Sequence, residues 1–216
     1  MKALFAIAIA ISPCFALTIT PDGSLPAIHQ RIDLSLDGIS TSYYAGEIGV
    51  RFDDGSPALL FCADPLIWLR NEAVAVTAVP SGSFSYGPRL AWLLQNYSGG
   101  ITAGWEAAAL QFTAWEIVLD NGDGFTAGRM QARSSTDASV LTLANTMLAA
   151  SAGQSAAGVS FYVPELGSSY SQTLFGFSPA AAQVVNETPE PGSLLLLGGG
   201  LFLVGVWRRG GTGRSK

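Results

Sequence analysis

An α+β domain bracketed by two apolar ends is the architecture this 216-residue sequence predicts. Three observations carry it. Apolar side chains alternate with a period of two in the early and late parts of the chain, helix-period stretches with capping and stop residues lie between them, and a charge-free run, Leu194 to Trp207, sits near the C-terminus. Strands, then helices, then strands is the order of a β core with a central helical insertion, and the terminal run adds a short transmembrane helix.

From the N-terminus, Met1-Lys2 supplies a positive start, Ala3 to Ile11 an apolar region and Cys14-Phe15-Ala16 a small-x-small pattern, so residues 1–16 read as a signal peptide cleaved after Ala16. Pro13 stands where a lipoprotein signal has a small residue, which argues against Cys14 as a lipid acceptor. Residues Ile32 to Leu36 alternate. Tyr44, Gly46, Ile48, Val50 and Phe52 share one strand face, with Tyr43, Glu47 and Arg51 on the other. Asp53-Asp54-Gly55-Ser56 turns the chain into Ala58–Cys62, a hairpin ending at the cysteine. Ala73 to Val79 is a further strand, ended by Pro80-Ser81-Gly82-Ser83.

The middle of the chain changes period. Ser85, Pro88 and Gly99-Gly100 frame a helix over Gly87 to Tyr97. A second helix runs from Thr102 to Leu119 and stops at Asn121-Gly122-Asp123-Gly124; a third, capped by Asp137 or Thr136, puts Val140, Leu141, Ala144 and Leu148 on one face. Val159–Val163 and Tyr170–Phe177 return to strand patterning, and 179–188 reads as a linker, leaving 17–178 as the folded domain.

The C-terminal end has three features in order: Pro189-Glu190-Pro191, the apolar run, then Arg208 and Arg209. As a helix, Leu194 to Trp207 reaches about 21 Å, short against a hydrocarbon core about 30 Å thick. Positive charge beside the span favours the cytoplasmic side, which puts Arg208 and Arg209 inside and the domain outside. The arrangement resembles the PEP-CTERM sorting signal of exopolysaccharide-producing Gram-negative bacteria. The resemblance implies a sorting segment over 189–216, with its transmembrane part at 192–207, and an exosortase that cleaves near Pro189-Glu190-Pro191 and delivers the domain to the cell surface or extracellular matrix. An ordinary single-pass anchor is the alternative, and the short span argues against it.

Between Leu17 and Thr188 the chain carries six Arg, no Lys and fifteen carboxylates, net −9. That balance argues against nucleic acid or an anionic membrane surface as a partner. His29 is the only histidine, so His-dependent catalysis would rest on one residue ahead of the strands. The Asp120-Asn121-Gly122-Asp123-Gly124 run lacks calcium-loop ligands at Gly122 and Gln131 and reads as a helix-ending turn; no metal or cofactor is expected.

Two residues are out of place. With the signal peptide removed, Cys62 is the lone thiol of an exported domain, free of any internal disulfide. On a wheel of about 100° per residue, Gln111 falls at the centre of the apolar stripe of the second helix, with Ala107, Ala108, Ala114, Trp115 and Val118 within about 60° and Glu106, Thr113, Glu116 and Asp120 on the far side. An unpaired amide there would cost about 1 to 3 kcal/mol. Both are ordinary if Cys62 is a small buried hydrophobe and Gln111 bonds to backbone or water. Alternatively, the thiol condenses with the amide, ammonia leaves and an internal thioester remains.

Phe61-Cys62-Ala63-Asp64-Pro65, Arg89 to Tyr97 and Gln111-Phe112-Thr113-Ala114-Trp115-Glu116 resemble the thioester domains of bacterial surface adhesins. Thr113 and Ala114 depart from that family's Gln-x-Ala-Ile-Trp pattern, and Leu110 from its preceding Thr or Ser. The resemblance implies an antiparallel β core, sandwich- or barrel-like, with a helical insertion; it implies Cys62 and Gln111 as the bond-forming pair and Trp115 as the adjacent shield, to which the apolar neighbours Phe61 and Phe112 add. Each molecule would react once with a matrix or surface macromolecule bearing amines or hydroxyls, a covalent attachment and not enzymatic turnover. The competing expectation is a non-covalent exopolysaccharide- or biofilm-associated protein with no chemistry at either residue.

Overall fold

The order of strand pairing closes a barrel. The computed structural model describes residues 17–165 and 171–178; the expected signal peptide, Tyr170, the expected linker, Pro189-Glu190-Pro191, the expected transmembrane segment, Arg208 and Arg209 lie outside that range. Its elements are β1 (Leu17–Pro21), β2 (Ile28–Leu36), β3 (Ile39–Phe52), β4 (Pro57–Cys62), β5 (Val74–Pro80), α1 (Gly87–Tyr97), α2 (Gly104–Asp120), β6 (Met130–Ala132), α3 (Ala138–Ala150), β7 (Ser160–Pro164) and β8 (Leu174–Gly176). Six strands run β1-β5-β7-β8-β4-β3, and β1 pairs with both β5 and β3 to complete the circuit, every pairing antiparallel. From β3 the sheet continues outward to β2 and β6. Among the described residues no helix is long and apolar enough to cross a membrane.

Local chemistry explains the turns. Asp37 and Gly38, both at positive φ, make the two-residue connection between β2 and β3. Gly55 at φ +82°, with Ser56 N–H donating to Asp54 Oδ1 at 2.8 Å, folds β3 into β4. Helix α2 opens with Glu106 Oε2 accepting from the Thr102 and Ala103 N–H groups at 2.7 and 2.9 Å, and closes on Asn121 in the left-handed conformation. Asp137 caps α3, accepting from Ser139 N–H at 2.7 Å.

Residues opposite one another across a ladder share a face, so the register defines two aromatic and aliphatic cores. Ile19, Ile48, Val50, Phe52, Leu60, Cys62, Val74, Val76, Tyr162 and Leu174 fill the barrel. Phe61, Phe161 and Phe175 point outward and are covered by Phe84 and Tyr86 at the entry to α1. A third layer forms where α2 lies over β2 and the first half of β3, burying Ile32, Leu34, Leu36 and Met130. Gly104 permits that approach, since a Cβ there would run into the His29 carbonyl.

Several expectations change. Strand β3 is longer than its pattern suggests and exchanges its buried face along its length: Ile48, Val50 and Phe52 face the barrel, but Tyr44 is 53 % exposed while Ala45 and Glu47 on the opposite face are buried under α2. One strand serves two cores, and a single alternation cannot describe both. Thr113 and Glu116, expected on the solvent side of α2, are fully buried because α3 and the loop after α2 cover them; Thr113 Oγ1 donates to Ala109 O at 2.8 Å and lies 3.3 Å from Ala144 O. His29 belongs to β2, its Nδ1 bonded to Pro26 O at 2.6 Å and its ring edge-on to Tyr44. Strands β1 and β6 were not expected.

Candidate functional site

One end of the barrel interior is closed by side chains from α2 and from the segment leading into β8. Cys62, the last residue of β4, is 3 % exposed and shares its face with Leu60 and Leu174. Ala63 N–H donates to Thr173 O at 2.8 Å on the β8 side. The N–H and C=O of Cys62 point the other way along the pleat, toward β3, whose ladder with β4 ends at Ile48 and Leu60. Gln111 takes over there: its Oε1 accepts from Cys62 N–H at 2.8 Å and its Nε2 donates to Cys62 O at 2.6 Å. The amide that looked misplaced on the helix wheel is fully satisfied, and it is satisfied by the predicted partner's main chain.

The sulfur itself meets a different amide. Cys62 Sγ donates to Gln172 Oε1 at 2.5 Å, both groups buried. That separation is at the short end even for O–H···O bonds, and sulfur is the larger atom. Gln172 sits two residues before β8, and the Cys62–Leu174 register carries it to the thiol across 110 positions of sequence. Nothing in its local pattern marks it: a Gln in a run read as strand has no distinguishing signal until β8 is paired with β4.

Burial pushes the Cys62 thiol up to about 12, with the charge of Asp64 in the same direction; the Trp115 indole and a backbone bond at Asp64 pull it back. Trp115 Nε1 is buried with no hydrogen bond satisfied, yet close enough to the sulfur to favour its ionised form. Gln111, Trp115, Gln172 and Cys62 line one cavity of about 120 Å³, whose other walls include Tyr43, Ile48, Pro65 and Trp68. Tyr43 packs edge-on to Trp115 at 5.4 Å and stacks on Trp68, which is 73 % exposed at the mouth.

Of the aromatic residues expected as shield, Trp115 lines this cavity. Phe61 and Phe112 do not: Phe61, next to Cys62 in a strand, points to the opposite face and packs on Phe175, and Phe112, one step round the helix from Gln111, stacks on Phe125 at 4.4 Å. Tyr43 and Trp68 take their place; strand patterning puts Tyr43 on the face with Glu47 and Arg51, and nothing in the local pattern marks Trp68.

A second polar cluster lies at the far end of α2. Glu116 is 0 % exposed, and burial pushes its carboxyl up to about 7, with the nearby carboxylates of Asp123 and Asp120 adding to the rise and the Gly124 backbone bond opposing it. Oxygens of Glu116, Asp120 and Asp123 lie within 4.8 Å of one another.

Comparison with curated proteins and with solved structures gives no match. Residues 187–209 match the PEP-CTERM protein-sorting motif, and with that motif at its end the chain is an exported protein, handled by exosortase, held through its C-terminal sorting signal before processing and located afterwards at the cell surface or outside it.

Proposed function

We propose that this exported domain attaches covalently to a partner through an internal thioester formed by Cys62, and that Gln172 is the acyl donor with Gln111 as the clamp that holds Cys62 in place. The contact of Cys62 Sγ with Gln172 Oε1 carries this reading. It revises the pairing of Cys62 with Gln111 drawn from sequence, since the Gln111 amide is bonded on both its polar atoms to the main chain of Cys62.

The chemistry balances within the site. The sulfur attacks Cδ of Gln172, the C–N bond breaks, the thiol proton passes to the departing nitrogen and ammonia leaves. In the second step a partner amine, or a hydroxyl, attacks the same carbon, the C–S bond breaks, and the proton released by the nucleophile returns to sulfur. The product is an amide or ester to the partner and a regenerated thiol. A cavity that disfavours the thiolate makes sulfur a poor leaving group, which protects the thioester from casual hydrolysis. The Trp115 N–H is the group positioned to stabilise sulfur when a nucleophile arrives.

Intact mass on freshly purified protein and methylamine labelling test this. Expected are a mass lower by one ammonia and methylamine on Gln172, both absent in Cys62→Ala and Gln172→Ala. Label on Gln111 instead would restore the original pairing. No ammonia loss and no label on either residue would leave the non-covalent reading, for which the stacked Tyr43 and exposed Trp68 offer an aromatic platform suited to a sugar ring.

A further inference from the structure

As a linear calcium loop, Asp120-Asn121-Gly122-Asp123-Gly124 lacks an oxygen ligand at its third position, where Gly122 stands. The folded chain supplies an oxygen from outside the loop. Glu116, one turn back on α2, brings its carboxylate to Asp120 and Asp123. Glu116 Oε1 accepts from Gly124 N–H at 2.8 Å, but Oε2 is buried and has no hydrogen-bond partner. What stands beside it is the Asp123 carboxylate, an acceptor like itself. A shared proton or a cation can join two such oxygens, and a fully ionised pair requires the cation.

We propose that Glu116, Asp120 and Asp123 bind a divalent cation, calcium in preference to magnesium, at the C-terminal end of α2. Asp120 is oriented in advance, its Oδ1 accepting from Arg129 N–H at 2.9 Å and its Oδ2 from Met130 N–H at 2.8 Å, and each oxygen keeps a lone pair for an ion. The helix end contributes partial negative charge and unpaired carbonyls. Arg89, the nearby cation, commits its guanidinium to Ser151 Oγ and to the carbonyls of Asn121 and Leu148. Asp123 is exposed, so waters complete the shell on the solvent side, and an irregular set of oxygens of this kind suits calcium better than the octahedron magnesium requires. Modules that work outside the cell bind calcium with dissociation constants on the order of 10⁻⁴ to 10⁻³ M. This site is independent of the Cys62 cavity and of the thioester reading.

Calcium titration of the purified full chain in detergent, followed by thermal unfolding and by terbium luminescence, tests the proposal. Calcium should raise the unfolding midpoint, a chelator should reverse the rise, and magnesium at equal concentration should give a smaller one. Asp123→Asn, at an exposed position, should fold normally and lose the calcium response. Glu116→Gln, which keeps the acceptor for Gly124 N–H, should lose it too. The proposal is overturned if calcium on the order of 10⁻² M, ten times weaker binding than extracellular modules show, leaves the wild-type midpoint unmoved, or if the response and the terbium signal persist unchanged in both variants.

Discussion

The side-chain amide of Gln111 and the main chain of Cys62 exchange two hydrogen bonds, N–H to Oε1 and Nε2 to C=O, at 2.8 and 2.6 Å. Two residues of neighbouring antiparallel strands do the same in a hydrogen-bonded pair. A glutamine on a helix therefore acts as one further rung of the β3–β4 ladder where β3 has already turned away to pair with β2.

Gln111→Ala would leave a buried N–H and a buried C=O unpaired, each costing about 1 to 3 kcal/mol. In a Cys62→Ala background, where no thioester cross-links the chain and the main-chain groups at 62 remain, urea denaturation should show a loss of about 2 to 6 kcal/mol. In the same background Gln172→Ala orphans no buried main-chain group and should lose less than about 1 kcal/mol. Equal losses in the two variants would contradict the clamp.

The pH response of the free thiol has a definite sign. In the folded chain Cys62 titrates at about 12 against an ordinary 9.0, so burial favours the neutral thiol. That contribution is complete below pH 9 and is lost as pH rises from 9 toward 12. Midpoints of Gln172→Ala, where the thiol is unreacted, should fall across this window relative to the double variant that also carries Cys62→Ala. The same thiol should resist iodoacetamide near neutral pH until the protein unfolds.

Trp115→Phe keeps an aromatic wall beside Tyr43 and removes the buried N–H. Methylamine incorporation should slow by about 10²-fold or more, the scale of losing one donor to a developing negative charge, with little change in the unfolding midpoint. An unchanged rate would remove the indole from the chemistry.

Replacing Pro189-Glu190-Pro191 by three alanines alters the sorting motif while leaving 17–178 intact. Unprocessed precursor should accumulate in the membrane fraction, detected as a higher-mass band, and surface display should be lost.

Much of the scaffold is legible in the residues. The bounds of α1 follow from Pro88 and the glycines after Tyr97, the β3–β4 turn from Asp54 and Gly55, and the α3 cap from Asp137. The buried setting of Cys62 and Gln111, and their meeting in one cavity, also follow from pattern and resemblance. What pattern does not reveal depends on pairing across long distances. Strand β1 is five residues long and finds its place only between β5 and β3, and β6 is three residues added to β2. Gln172 acquires meaning only through β8, and Glu116 turns from a solvent-facing residue into a buried one because the chain after α2 folds back over it.

Since β8 is the last strand of the barrel and stands just ahead of the tail that carries the sorting motif, the cavity around Cys62 is unfinished until nearly the whole domain has been delivered. A contact spanning 110 positions is among the last to form. On the proposed thioester reading, translocation acts as a timer: a chain whose β8 has yet to arrive holds an inert cysteine, and reactivity follows only once that strand is in place.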